Sequence, residues 1–256
     1  MQRLQDRVVV VTGAGSGIGL ASARRMATEG ARIVAVDIDE QAGAAVAKET
    51  GGEFIVADVA SEDQVRDLFD TVAERYGRVD VAFNNAGISP PDDDSILTTG
   101  MDAWHRVQQI NLTSVYLCCK YVLPHMLAAR RGSIINTASF VAVLGSATSQ
   151  VSYTASKGGV LALSRELGVQ FARNGIRVNA LCPGPINTPL LRELFAKDPE
   201  SADRRLVHVP MGRFGEPEEI AAAVAFLASD DSSFITASQF LVDGGISSAY
   251  VTPLQL

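Results

Sequence analysis

Residues 7–19 read RVVVVTGAGSGIG, an apolar run that passes directly into a glycine-rich turn. Four consecutive valines are typical of a strand that is buried on both faces, because β-branched side chains pack well on a pleated sheet. The next segment, SGIGLASARRMATEG (16–30), has the spacing of an amphipathic helix that ends at Gly30. Strand, turn and helix in this order predict the first unit of a parallel sheet covered by helices.

The same alternation continues along the whole chain. Strand-like runs span residues 31–37, 53–59, 79–87, 133–139, 176–184 and 238–245, and segments of helical spacing separate them. One of these segments, 101–132, is long enough for one or two helices. Since parallel strands need long crossover connections, we expect a doubly wound α/β fold. Seven strands in one domain spanning 1–256, with helices on both faces of the sheet, are predicted.

The composition excludes several classes of protein. The chain has 256 residues, of which 47% are hydrophobic and 20% charged, as in an ordinary globular protein. No apolar stretch approaches a membrane span, and a net charge of −7 argues against a nucleic-acid surface. Cys118, Cys119 and Cys182 lack metal-ligand spacing and suggest free thiols. Without a signal-peptide pattern at the start, a cytoplasmic location is expected.

The glycine-rich turn TGAGSGIG (12–19) lies where a dinucleotide pyrophosphate would meet the amides of a helix N-terminus. Its G-x3-G-x-G spacing, with an extra Gly15, does not match G-x-G-x-x-G, so a merely flexible turn remains an alternative. Asp37 ends the second strand, where a carboxylate would bind ribose hydroxyls. Its alternative role is a helix cap, which Asp39 could fill instead. A carboxylate would repel a 2′-phosphate, which favours NAD(H) over NADP(H).

The stretch YTASK (153–157) places a tyrosine four positions before a lysine. On a helix these two side chains share a face, so the Lys157 cation would favour the phenolate and lower the pKa of Tyr153 from about 10. Such pairs also arise by chance, and the spacing alone is a weak signal.

Together the motifs closely resemble those of the short-chain dehydrogenase/reductase family, in its subfamily of chains of this length. The motifs are TGAGSGIG, ADV (57–59), NNAG (84–87), INLTS (110–114), Ser139, YTASK, IRVNALCPGPINTP (176–189) and VDGG (242–245). They cover essentially the whole chain in the family's order. The resemblance implies a Rossmann-type sheet of seven parallel strands with three helices on each face.

The resemblance implies four catalytic residues. Tyr153 would be the general acid/base, Ser139 would donate a hydrogen bond to the substrate oxygen, and Lys157 would also bind the nicotinamide ribose. Asn111 would connect Lys157 to solvent through a water; its alternative role is a polar residue that bends a buried helix.

The resemblance and the turn together give a set of cofactor-binding residues, with NAD as the cofactor. They are Gly13, Ser16, Gly17, Ile18, Gly19, Asp37, Ile38, Asp58, Val59, Asn85, Ala86, Gly87, Tyr153, Lys157, Pro183, Gly184, Ile186 and Thr188. No metal is expected, because His105, His125 and His208 are scattered singly.

The expected function is NAD(H)-dependent hydride transfer to or from a small secondary alcohol or ketone. One alternative is a 3-oxoacyl-(acyl-carrier-protein) reductase, which GRFGEPEEIAAAVAFLAS (212–229) resembles but which usually goes with NADPH. A non-catalytic nucleotide-sensing or scaffold protein is another, although all four predicted catalytic residues are present.

Three segments outside the motifs also carry expectations. Residues 185–215 would form a substrate lid with an apolar underside of Leu190, Leu191, Leu194 and Phe195, or else a small surface helix. Phe140 and Val141 would be pocket walls, and the loop 88–100 would either rim the pocket mouth or be simply solvated. Apolar helices at 110–127 and 153–171 favour a homotetramer, to which the C-terminal tail would contribute.

Overall fold

The computed structural model describes residues 2–146, 148–196 and 206–248, with only the backbone for 193–196. Its centre is one sheet of seven strands in the order β3-β2-β1-β4-β5-β6-β7. Every neighbouring pair is parallel, which confirms the predicted sheet. The strands are β1 (Val8–Thr12), β2 (Arg32–Asp37), β3 (Glu53–Val56), β4 (Val81–Asn84), β5 (Gly132–Thr137), β6 (Ile176–Pro183) and β7 (Gln239–Val242).

Helices cover both faces of this sheet. They are α1 (Gly17–Thr28), α2 (Glu40–Thr50), α3 (Glu62–Tyr76), α4 (Met101–Gln108), α5 (Ser114–Ala129), α6 (Val151–Phe171), α7 (Pro189–Ala196) and α8 (Pro217–Ala228). The predicted segment 101–132 is thus two helices, and a π-helical turn at Gln109–Thr113 joins them. No helix in the described ranges is long and apolar enough to cross a membrane.

Alternate side chains of β1 enter two separate cores. Val8 and Val10 pack with residues of α3, α5 and α6, whereas Val9 and Val11 pack with residues of α1, α2 and α8. Three helices therefore pack on each face, as the resemblance implied. Burial on both faces explains why β1 is apolar at every position up to Thr12.

Several strands end before the sequence predicts, β3 and β4 among them. The predicted strands 53–59 and 79–87 leave the sheet after Val56 and Asn84. The residues that follow each strand turn away from the ladder and line a cleft at the carboxyl edge. At this edge the chain leaves β1 toward one face of the sheet and leaves β4 toward the opposite face. Open α/β sheets bind their ligands at such a point.

Candidate active site

The turn after β1 is built by close backbone contacts. Gly13 has a φ of +63°, and a Cβ there would lie 3.0 Å from the Cα of Ala86. A Cβ at Gly19 would lie 2.0 Å from the carbonyl oxygen of Gly13. Only glycine fits at these two positions, because the turn has to bring α1 and the end of β4 against each other.

Thr12 fixes this turn to the end of β4, a role that the sequence did not reveal. The Thr12 hydroxyl accepts hydrogen bonds from the amides of Asn85 (2.9 Å) and Ala86 (3.2 Å). The Asn85 side chain in turn donates to the Thr12 carbonyl at 3.1 Å. These hydrogen bonds join the ends of the neighbouring strands β1 and β4 beside the N-terminus of α1.

Asp37 extends from β2 toward the same turn. Its carboxylate accepts the Gly15 amide at 2.8 Å and the Asp39 amide at 3.0 Å. The cap of α2 is Asp39, which accepts the Ala42 amide, so Asp37 does not serve as that cap. A Cβ at Gly15 would lie 2.9 Å from Asp37 Oδ2, which explains the extra glycine of the turn.

The predicted cofactor residues surround a cleft of about 340 Å³. Those that line it are Gly13, Ser16, Gly17, Ile18, Asp37, Ile38, Asp58, Val59, Asn85, Ala86, Gly87, Tyr153, Lys157 and Thr188. Gly19 is buried in the turn and does not line the cleft. Pro183, Gly184 and Ile186 line a neighbouring cavity instead. The cleft suits a dinucleotide, since it combines a helix N-terminus, close backbone and a carboxylate.

Lys157 lies at the inner end of the cleft, with only 3% of its surface exposed. Its ammonium donates a hydrogen bond to the Thr137 carbonyl at 2.7 Å and lies 5.6 Å from the centroid of the Tyr153 ring. Burial lowers the pKa of Lys157 from 10.5 to about 8. The cation is therefore held beside the tyrosine, as the YTASK spacing predicts.

Asn111 lies behind the cleft in the π-helical turn. Its side chain accepts the Ile88 amide and donates to the Ile88 carbonyl, both at 2.8 Å. A Cβ at Gly87 would lie 3.2 Å from Asn111 Oδ1 and 3.5 Å from Lys157 Nζ. Asn111 thus occupies an irregular part of a helix, in line with its alternative role, and its relay role stays a prediction.

Ser139 faces a second cavity of about 130 Å³, which adjoins the cleft and shares Tyr153 with it. The Ser139 hydroxyl accepts the Val141 amide at 3.4 Å. Apolar side chains dominate the walls, and no described lining residue is charged: Ile18, Ser89, Thr137, Ala138, Ser139, Phe140, Gln150, Tyr153, Pro183, Gly184, Pro185, Ile186, Thr188, Leu190 and Leu191.

The predictions for the residues around the substrate pocket agree with the structure only in part. Phe140, Leu190 and Leu191 line the second cavity, whereas Val141 is buried in the protein and does not, so that prediction is wrong. Residues 189–196 form a short helix, α7, and the side chains of Leu194 and Phe195 lie outside what the structure describes. Within the described residues, no group of His, Cys, Asp or Glu side chains could hold a metal ion.

Comparison with known proteins places this geometry in a family. A family model described as enoyl-(acyl-carrier-protein) reductase matches residues 13–247. The chain is 43% identical over 244 residues to cis-4-hydroxycyclohexanecarboxylate dehydrogenase of Sinomonas cyclohexanicum, covering 94% of this chain and 96% of that protein. It is 39% identical over 249 residues to 3-oxoacyl-(acyl-carrier-protein) reductase of Thermotoga maritima, covering 95% and 99%. The crystal structure of levodione reductase matches with a TM-score of 0.91 at 40% identity, covering 97% and 100%.

The buried ammonium of Lys157 should lower the stability of the fold. A pKa that falls from 10.5 to about 8 corresponds to about 3 kcal/mol of unfavourable charging at pH 7. Lys157→Met removes that cost but also a hydrogen bond worth about 1 kcal/mol. We expect the variant to melt a few degrees above the wild type at pH 7.

The pH dependence of the melting temperature tests whether burial of the Lys157 ammonium causes this difference in stability. Between pH 8 and 10.5 the unfolded chain binds a proton at Lys157 that the folded chain has lost, so wild-type stability rises with pH there. The advantage of Lys157→Met should shrink across this range in thermal denaturation. A constant advantage at all pH values would contradict the burial argument.

Proposed function

Because the chain belongs to the short-chain dehydrogenase/reductase family, we propose that it is an NAD(H)-dependent oxidoreductase of a secondary alcohol or ketone. The observation that carries the proposal is the position of Tyr153. This side chain lines both the cleft of about 340 Å³ and the apolar cavity, with the Lys157 ammonium 5.6 Å from its ring centroid. An acid/base group at that junction is within reach of a bound cofactor and a bound alcohol together.

When bound, the nicotinamide supplies the hydride acceptor or donor. During alcohol oxidation Tyr153 would take the hydroxyl proton, and it would return a proton during ketone reduction. Lys157 favours the phenolate form of Tyr153 by its charge. Ser139, at the second cavity, would donate a hydrogen bond to the substrate oxygen, where negative charge develops.

NAD(H) is proposed over NADP(H) because of the polarity at the ribose end of the cleft. Asp37 lines the cleft, and each of its carboxylate oxygens still has acceptor capacity beyond one amide. Lys157 is the only basic residue among the described cleft-lining residues, and it lies by Gly87 at the other end. A 2′-phosphate would therefore meet a carboxylate without an offsetting cation.

The substrate is proposed to be a neutral, largely apolar alcohol or ketone. The described walls of the second cavity carry no charge and include Phe140, Ile186 and Leu190. One similar protein is named for cyclohexanol, a neutral cyclic alcohol, and another for cis-4-hydroxycyclohexanecarboxylate, a cyclic alcohol that also carries a carboxylate. The 3-oxoacyl-(acyl-carrier-protein) reductase activity remains the alternative, favoured by 39% identity to the Thermotoga protein. Preference for NADPH would favour that alternative.

A cytoplasmic homotetramer completes the proposal. The three cysteines are free and buried, as is usual in a reducing compartment. Tyr116 on α5 and Val169 on α6 are apolar and exposed, and nothing within 4 Å would meet a Cβ at Gly158. Such surfaces favour close pairing with helices of a second copy.

Light scattering should return a mass near 108 kDa, four times the 27.1 kDa of one chain (4 × 27.1). The measurement is made at micromolar concentration in the absence of substrate. A mass near 27.1 kDa would contradict the tetramer.

Tyr153→Phe should lower kcat at least about a hundredfold, because it removes the proton-transfer group and keeps the ring. NADH binding, followed by fluorescence, should persist. The matched control is Tyr76→Phe, which removes a phenol that donates to Glu53 at 3.0 Å, away from the cleft. Steady-state assays of secondary alcohols and ketones provide the measurement. A Tyr153→Phe enzyme with more than about a hundredth of wild-type kcat would show that another group acts as the base.

The kcat/KM of the wild type should be at least about a hundredfold higher with NAD(H) than with NADP(H). NADP(H) would lose the charge-assisted hydrogen bonds to Asp37, and its 2′-phosphate would be repelled by that carboxylate. Asp37→Asn keeps an acceptor and removes the charge, so the preference should narrow at least about tenfold, a change of about 1.4 kcal/mol. Asp39→Asn, which keeps the acceptor of the α2 cap, should leave the preference nearly unchanged. Equal kcat/KM values of the wild type with NAD(H) and NADP(H) would contradict the proposal that Asp37 selects NAD(H).

A further inference from the structure

The loop 88–100 leads from the end of β4 to α4 and packs against the start of α6. It begins at Ile88, whose amide and carbonyl both bind Asn111, and it contains three successive aspartates. Asp92 and Asp94 are exposed, as expected of a solvated loop. Asp93 is different, because only 5% of it is exposed. A buried carboxylate in a charged loop requires specific partners.

The partners of Asp93 are the first amides of α6. Its two carboxylate oxygens accept the Ser152 amide at 2.9 Å and the Tyr153 amide at 2.7 Å. The Asp94 carbonyl accepts the Val151 amide at 3.2 Å. The first amides of any helix lack partners within the helix, and here a distant loop supplies them.

The negative charge of Asp93 suits its position at the N-terminus of α6. No ion pair joins it to a lysine or arginine among the residues that the structure describes. The helix N-terminus carries partial positive charge, which attracts a negatively charged side chain. The residue before the helix, Gln150, makes no side-chain cap of its own. Asp93 therefore acts as the N-terminal cap of α6, although it precedes Tyr153 by 60 residues in the sequence (153 − 93).

The location of Tyr153 gives this cap a functional consequence. Tyr153 is the third residue of α6 and lies in the turn that is most prone to fraying, whereas Lys157 lies one turn later and is anchored on Thr137. Loss of the cap would loosen Tyr153 relative to Lys157 and Ser139. A catalytic group that is displaced by about 1 Å loses much of its rate advantage.

We propose that Asp93 is a positioning residue that holds the first turn of α6, and with it the Tyr153 phenol, in reactive geometry. The proposal rests on the proposed function of Tyr153 as the acid/base. It acts through the two amide hydrogen bonds and requires no contact of Asp93 with substrate. Its signature is loss of kcat without loss of cofactor affinity.

The test compares Asp93→Ala, which removes both acceptors, with Asp93→Asn, which keeps one. We expect kcat to fall at least about tenfold in Asp93→Ala and less in Asp93→Asn, with NADH affinity by fluorescence within about twofold of the wild type. Asp92→Asn makes the same change in the same loop at an exposed ion pair with Arg106, and it should behave as wild type. Rates are expressed per folded enzyme, so that a lower melting temperature alone does not count as support.

Hydrogen–deuterium exchange gives a second readout that needs no substrate. In Asp93→Ala, amides of the first turn should exchange faster, while those after Lys157 keep wild-type protection. Unchanged exchange, or unchanged kcat in folded Asp93→Ala, would overturn the proposal, and so would parallel losses of kcat and NADH affinity. If Asp93→Ala does not fold, Asp93→Asn decides by the same criteria. A wild type that turns over no alcohol or ketone would contradict the proposed function, and the exchange result would still decide whether Asp93 holds the turn.

Discussion

The Lys157 ammonium donates to the Thr137 carbonyl while almost all of its side chain is removed from solvent. This arrangement is costly, because a buried cation loses its hydration and gains one neutral acceptor. The neighbouring structure is arranged around this constraint. Gly87 lies beside the ammonium, where a Cβ would be 3.5 Å from the Lys157 Nζ atom, and the end of β5 supplies the carbonyl that accepts its hydrogen bond. The protein therefore keeps this charge at a cost in stability.

Backbone crowding sets the shape of the rest of the site. Gly13, Gly15 and Gly19 each lie so close to a neighbouring group that a Cβ would meet it within about 3 Å. These contacts bring β1, β2 and β4 together at one point on the carboxyl edge. The cleft is consequently walled by main chain and short side chains, which suits a ligand recognised through amides and one carboxylate.

The sequence predicts most of the fold because the alternation of apolar runs and helical segments survives in every unit. Among the residues that it predicts for the site, Asn85 after the end of β4 and Tyr153 near the start of α6 both line the cleft. The sequence fails where the outcome depends on the path of the chain. Asp93 cannot be told from Asp92 and Asp94 by composition, since only the loop path decides which one is buried. Val141 looks like a pocket wall by its position beside Ser139, but the turn at Phe140–Ala142 directs it into the core.

The central position of β1 has a consequence for synthesis of the chain. Its residue Val9 pairs with Val81, which lies 72 residues later (81 − 9). A ribosome that adds about 5–20 residues per second needs about 4–14 s to supply that partner. Until then one edge of an apolar five-residue strand has no neighbour, even after β2 has closed the other edge. An unpaired apolar strand edge readily pairs with other chains, so the nascent protein is open to aggregation during this interval.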